Sequence, residues 1–314
     1  MKIAIFNPKN EFTKEQQIKL SQLGEVVYTK TRDELPLNKL LEMAKNADIL
    51  GVDPDPLGGF EKAKKVLTKI AESLPNLKGV ALSTTAYGWI DVTYFKKRNI
   101  PVSNIPGYSR ESVAEHAFAL LLCLAKRIII SDRKTQKGNY ELEMGFELKE
   151  KTLGIIGLGN IGSRVSEIGK CFGMRVIAYN KSKKRMKGVT MKSLDGVLRN
   201  SDALSLHVTD NPGNKKMISK KEIDKMKERV IIVNTVDRAI VDEKAMANAI
   251  KSGKVGGYAY EAEDLEHTPL AKIENAIGLK GFGWYTKDAL ENLFEIWAEN
   301  IISVAKGKPI HVIK

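Results

Sequence analysis

Leu153-Gly154-Ile155-Ile156-Gly157-Leu158-Gly159-Asn160-Ile161-Gly162 decides how this chain is read. An apolar run enters a G-x-G-x-x-G turn. Helical spacing then continues to Gly173, and a second apolar run follows at Arg175-Val176-Ile177-Ala178-Tyr179. Strand, glycine turn, helix and strand in that order form the setting in which three glycines hold a dinucleotide. The first permits the tight turn, and the second lets backbone approach a pyrophosphate. The third lets helix and strand pack closely, with the phosphates at the helix N-terminus. A glycine-rich turn without those flanks carries no such reading.

Working outward, the same alternation repeats. Apolar runs at 3–6, 26–28, 49–52, 79–82 and 100–103 predict one parallel sheet with crossover helices. Runs at 153–156, 176–179, 203–207, 230–233, 256–260 and 277–279 predict a second. Residues 112–127 are apolar on most faces, with Ser112 and Glu115 at capping-box spacing, so a helix is expected to start there and to be buried between domains or subunits. Residues 288–306 carry apolar positions at helical period and predict a last helix returning to the first domain.

Composition narrows the class. A chain of 314 residues with 43% hydrophobic content can build two ordinary α/β domains. No run approaches the roughly 18 apolar residues of a membrane span, and Met1-Lys2-Ile3-Ala4-Ile5-Phe6 reads as a buried strand rather than a signal peptide. A cytoplasmic location is expected. Cys123 and Cys171 lie in helical segments and match no metal spacing, so packing roles in a reducing compartment and no metal are expected. The net charge of +13 comes from scattered basic residues without aromatic interleaving, so neither nucleic acid nor membrane is an expected partner. A positive field still helps to recruit an anionic small molecule.

With these residues in hand, the chain resembles the D-isomer-specific 2-hydroxyacid dehydrogenases nearly end to end. The resemblance rests on Ile90-Asp91-Val92, Asn104-Ile105-Pro106-Gly107 with Val113-Ala114-Glu115, the glycine motif, Ser205-Leu206-His207, Met226-Lys227, Val233-Asn234-Thr235 and Val241-Asp242-Glu243. It implies a Rossmann-type cofactor domain over 101–286 and a flavodoxin-like, discontinuous substrate domain from 1–100 and 287–314. It also implies a cleft between the two and a homodimer.

The expected cofactor contacts are Gly157, Gly159, Asn160, Ile161 and Gly162, then Asn180, Lys181, Ser182 and Arg185. The resemblance adds His207, Thr235, Val236, Asp237 and Glu261. A carboxylate at the end of the second strand would bind the ribose 2′-hydroxyl of NAD. Here that position is Asn180, followed by Lys181-Ser182-Lys183-Lys184-Arg185, which offers donors and charge to a 2′-phosphate. The expectation is NADP(H). NAD in a site flanked by a solvated basic loop stays open.

Enzymes that this chain resembles hold the substrate with an Arg and move a proton with a His oriented by a Glu, because hydride transfer to a carbonyl leaves an alkoxide to stabilise and protonate. Asn234-Thr235-Val236-Asp237-Arg238-Ala239 places Asp237 at the Arg position, with Arg238 adjacent. Counting back from Thr286 places Gly281 at the His position, ahead of Gly283-Trp284-Tyr285. Glu266 falls on the Glu and is the candidate acid or base, although Glu263 and Asp264 leave the register ambiguous. Lys280, Tyr285 and His267 are nearby ionisable groups that read more simply as packing or surface residues.

The expected substrate cleft comprises Asp53, Thr84, Thr85, Ala86, Tyr87, Arg238, Gly281 and Trp284. Ala86 stands where a glycine loop would bind a carboxylate. The hydroxyls of Thr84, Thr85 and Tyr87, with Asp53 and Asp55, suit a polar or cationic ligand. His207 and His116 read as structural. Two functions remain open: an NADP(H)-dependent oxidoreductase with a non-standard substrate, or a cofactor-binding protein without turnover whose closure a partner reads.

Overall fold

The first apolar run extends to strand β1 (Lys2–Pro8), which pairs in parallel with β2 (Glu25–Thr29) on one side and β3 (Ile49–Val52) on the other. Strands β4 (Gly79–Leu82) and β5 (Val102–Ser103) complete the order β2-β1-β3-β4-β5, the flavodoxin-like arrangement. These strands are apolar on both faces because helices cover both. Ala4, Phe6, Leu50, Val52, Val80 and Leu82 face one core, while Ile3, Ile5, Ile49 and Ala81 face another built on Trp297 and Ile301. The computed structural model describes residues 1–208, 212–262 and 264–313.

Trp297 and Ile301 belong to the last helix, Lys287–Ala305. It lies so close to the first sheet that a Cβ on Gly79 would come within 2.5 Å of Val304 Cγ1. Trp297 Nε1 donates to the Ala81 carbonyl at 2.9 Å, satisfying the one polar atom of a fully buried indole.

The second sheet comprises β6 (Thr152–Ile156), β7 (Arg175–Tyr179), β8 (Val189–Met191), β9 (Ala203–Leu206), β10 (Val230–Asn234), β11 (Val255–Glu261) and β12 (Ala276–Leu279). Its order, β12-β11-β10-β9-β6-β7-β8, is the doubly wound Rossmann pattern with one added strand. β8, a short half-exposed edge strand, has no counterpart among the expected runs. Among the described residues, no helix is long and apolar enough to cross a membrane.

Three expectations are corrected. The chain divides into Met1–Tyr108 with the segment from Lys287 onward, and Ser109–Thr286. The boundary therefore falls after Tyr108 rather than residue 100, because Val102 and Ser103 pair with β4. The long apolar helix is Arg110–Ala125, so Ser112 and Glu115 lie inside it rather than capping it. Cys171 ends an exposed helix turn instead of packing in a core.

Candidate cofactor and catalytic site

The glycine turn joins β6 to the helix Asn160–Cys171. Gly157 adopts φ +100°, and a Cβ there would lie 2.4 Å from the His207 carbonyl oxygen. A Cβ on Gly162 would lie 2.1 Å from the Gly157 carbonyl oxygen. Both positions therefore exclude any side chain. Gly159 is different: nothing lies within 4 Å of where its Cβ would be. As N-cap of a twelve-residue helix, it opens space directly in front of unsatisfied backbone N–H groups. Exposed Asn160 and half-buried Ile161 form the first turn beyond it.

Asn180, at the end of β7, is tied into this turn. Its Oδ1 accepts from the Leu158 N–H at 2.9 Å, and its Nδ2 donates to Ser182 O and Oγ at 3.0 and 2.9 Å. Asn180 thus braces the two loops flanking the helix N-terminus. Lys181, Lys183, Lys184 and Arg185 are exposed and make no ion pair with any described residue.

His207 and Thr235 stand one residue beyond the ends of adjacent strands β9 and β10. His207 Nε2 lies 2.8 Å from Ser205 Oγ. Burial pushes its pKa down to about 3, so the imidazole is neutral. Its Nδ1 and Thr235 Oγ1 are both buried without a hydrogen-bond partner among the described residues. Two orphaned polar atoms at the carboxyl edge of a parallel sheet mark the edge where ligands of doubly wound folds bind. With the open cradle at Gly159, they fit a dinucleotide.

The segment after β10 is held from within. Asn234 Oδ1 accepts from Val236 N at 3.1 Å, and its Nδ2 donates to Tyr258 Oη at 3.2 Å. Asp237 is exposed and caps a short turn, its Oδ1 accepting from Ala239 N at 2.6 Å. Arg238, expected in the substrate cleft, instead forms a two-pronged pair with Glu243 and donates to the Asp264 carbonyl. Its fork already faces a carboxylate.

Glu261, at the end of β11, accepts from Phe282 N and Gly283 N through one oxygen, at 2.9 and 2.8 Å. Burial alone would raise this carboxyl, but His116 and the two backbone donors outweigh it and hold the pKa below the ordinary value. His116 Nε2 lies 3.2 Å from the same oxygen, an ion pair when the ring is protonated, and has no hydrogen-bond partner among the described residues. Its ring packs edge-on against Phe282 with centroids 4.9 Å apart. Ser112 Oγ donates to the Gly283 carbonyl. Three side chains thus fix the loop beside Gly281, and sequence reading found neither Ser112 nor the His116 contact. Their shared helical face, four residues apart, was the available signal.

Trp284 is half-buried against Tyr285, with rings 5.3 Å apart, and Lys280 and Tyr285 are exposed. Glu266 and His267 are exposed in a turn, and Glu266 has no hydrogen bond or ion pair with a described residue. Glu263 lies outside the described residues.

In the first unit, buried Asp53 follows β3. Its Oδ2 accepts from Ser83 Oγ at 2.7 Å and its Oδ1 from Asp55 N at 3.0 Å. Burial pushes its pKa up. Asp55 is exposed. Asn7, in β1 and also fully buried, has an Oδ1 without a partner among the described residues. The Thr84 and Thr85 hydroxyls are not idle donors. Thr84 Oγ1 donates to Ala86 O and accepts from Trp89 Nε1, and Thr85 Oγ1 donates to Ile105 O. Tyr87 is 40% exposed.

A sequence profile described as "D-isomer specific 2-hydroxyacid dehydrogenase, NAD binding domain" matches residues 118–279. A glyoxylate reductase of Thermococcus litoralis is 34% identical over 260 residues, covering 78% of each protein. A D-3-phosphoglycerate dehydrogenase of Archaeoglobus fulgidus is 36% identical over 256 residues, 78% of this chain, and the match spans 49% of that longer protein. Among solved structures, an acyclic imino acid reductase (Bsp5) in complex with NADPH and D-Arg superposes with a TM-score of 0.86 at 28% identity, covering 100% of both chains. The chain belongs to the D-isomer specific 2-hydroxyacid dehydrogenase family, and its NAD-binding domain contains the open glycine cradle.

Proposed function

We propose that this chain is an NADP(H)-dependent reductase of a C=N electrophile, a substrate outside the ordinary 2-oxo acids. The observation that carries the reading is a reversal of charge. Asp237 occupies the position at which the resemblance expects a guanidinium, Gly281 occupies that of the imidazole, and the neighbouring Arg238 is already paired with Glu243. Reducing a carbonyl builds negative charge on oxygen, which an anion opposes. Reducing an iminium removes positive charge from the substrate, so carboxylates are the right sign for binding it.

A bound nicotinamide supplies the hydride. The chain's own part is to hold and orient. Gly159 and the helix behind it receive the pyrophosphate, Asn180 sets the turn, and the unpaired cations of 181–185 receive a 2′-phosphate. Asp53, with the orphaned acceptor of Asn7 at the same sheet edge, favours a substrate bearing a cationic or donor-rich group. The imino acid reductase with NADPH and D-Arg, similar over its full length, supports both halves of this reading.

NADPH oxidation with the 2-oxo acid of arginine, with and without excess ammonium, tests it. Oxidation that requires ammonium is expected. Oxidation by the oxo acid alone at equal rate would show carbonyl reduction. Exposed, unpaired Glu266 favours the second reading, an NADP(H)-binding protein without turnover, which would bind NADPH and oxidise none of it. We also place the chain in the cytoplasm as a homodimer. A second copy would cover Tyr140, Leu142 and Met144, which are 78%, 100% and 88% exposed.

A further inference from the structure

An imine becomes a strong electrophile only when its nitrogen is protonated, and position 281 offers no side chain to protonate it. We propose that His116, aimed by Glu261, delivers this proton. The inference rests on the reductase reading above.

The loop that should have carried an imidazole is instead built around one. Gly283 gives its N–H to Glu261 and its carbonyl to Ser112, while His116 packs on Phe282, the residue next to Gly281. A Cβ on Gly283 would lie 2.9 Å from His116 Cδ2, so glycine at 283 is what admits the ring. His116 Nε2 is buried, stands 3.2 Å from a carboxylate oxygen and makes no hydrogen bond with a described residue. A nitrogen left unpartnered beside a carboxylate is poised to hold a proton for another acceptor. The remaining histidines suit the task less well. His207 is neutral and bound to Ser205, His267 is exposed in a turn, and His311 lies in the first unit near Asn300.

In the step itself, the imine nitrogen lone pair takes the proton from the protonated His116 ring, giving an iminium. Hydride then forms a C–H bond at its carbon and the C=N π pair becomes the lone pair of the amine nitrogen. His116 is left neutral and regains its proton from solvent once the product has left. The imine is reduced to the amine as NADPH is oxidised to NADP⁺. Glu261 is a positioning residue, because it acts through the imidazole and the loop.

The test compares wild type, His116→Gln, His116→Gly and Glu261→Gln in single-turnover NADPH oxidation with the 2-oxo acid of arginine plus ammonium. NADPH affinity and melting temperature are measured alongside. A general acid contributes about 10²- to 10⁴-fold, so a rate loss in that range is expected for His116→Gln with NADPH affinity retained. Added imidazole should restore part of the rate in His116→Gly. The His116 ring resonance of the wild type, identified by its loss in the variant, should move on saturation with NADP⁺.

A His116→Gln protein as fast as wild type overturns the inference. So does a rate loss matched by lost NADPH affinity and melting temperature without imidazole rescue, or a ring resonance indifferent to NADP⁺. A wild type that binds NADPH but does not oxidise it with this probe overturns the reductase reading, and this inference with it.

Discussion

The guanidinium of Arg238 closes on Glu243 through hydrogen bonds of 2.8 and 2.7 Å. Glu243 is 16% exposed, so removing its partner leaves a largely buried carboxylate uncompensated. Arg238→Gln should therefore destabilise the fold by about 1–3 kcal/mol, which for a chain of this size lowers the melting temperature by roughly 2–4 °C per kcal/mol. NADPH affinity should not change. A variant that melts like wild type but binds NADPH poorly would show that Arg238 serves the cofactor instead.

Glyoxylate, pyruvate and hydroxypyruvate should be reduced negligibly with either cofactor. On the proposed reading, Asp237 would repel a 2-oxo acid, and glycine at 281 would leave the family's imidazole position empty. Asp237→Arg combined with Gly281→His should recover measurable glyoxylate reduction if Glu266 can orient the new imidazole. Ordinary turnover of these acids by the wild type would contradict the proposed exchange of electrophile.

Fluorescence titration should show NADPH binding more tightly than NADH, and rising salt should narrow the gap, because the unpaired cations of 181–185 are exposed. Asn180→Asp preserves the acceptor for the Leu158 N–H. It loses the two Nδ2 donations to Ser182, a cost common to both cofactors, while charge repulsion of about 1 kcal/mol, or several-fold in affinity, falls on NADPH alone. Equal loss for both cofactors would locate the damage in the turn.

Asp53 should limit stability while serving recognition. Burial raises its pKa, so the folded chain resists ionising it. This penalty is fully present above the folded pKa and disappears as pH falls below the unfolded one. Asp53→Asn should raise the melting temperature at pH 7, by roughly 2–4 °C for each kcal/mol relieved, and the gain should vanish in acid. The same change should weaken binding of a guanidinium-bearing substrate. A less stable Asp53→Asn protein at neutral pH would assign the carboxylate a structural role.

His207 sets an opposite dependence on pH. Unfolded, it takes up a proton near pH 6.5, whereas the folded ring resists until about 3. Its contribution to stability is complete above the unfolded value and drains as pH falls between the two, at up to about 1.4 kcal/mol per pH unit. Urea midpoints at pH 7 and pH 5 should converge in His207→Gln relative to wild type. An unchanged gap would mean that the ring charges without penalty.

Legibility followed locality. The glycine motif could be read because its constraints lie within one turn, and the structure shows why Gly157 and Gly162 tolerate no Cβ. The strands of both sheets were visible as apolar runs, apart from β8, whose three residues at a half-exposed edge carry no such run. Ser112 was misread as a cap because Ser-x-x-Glu spacing is a local signal, whereas its hydroxyl serves Gly283, 171 residues away. Arg238 and Thr84 show the same limit. Residue type alone does not reveal a partner, and only the folded chain shows their donors bonded to Glu243 and Ala86.

The seating of Trp297 against Ala81 also orders the birth of the protein on the ribosome. The helix that covers one face of the first sheet is made only after the entire 109–286 unit, so at roughly 5–20 residues per second that face waits uncovered for on the order of ten to forty seconds. The cofactor-binding unit can mature first, as a continuous segment. The older segment must either linger as an apolar surface within reach of chaperones, or complete itself only when an indole 216 residues downstream has been made.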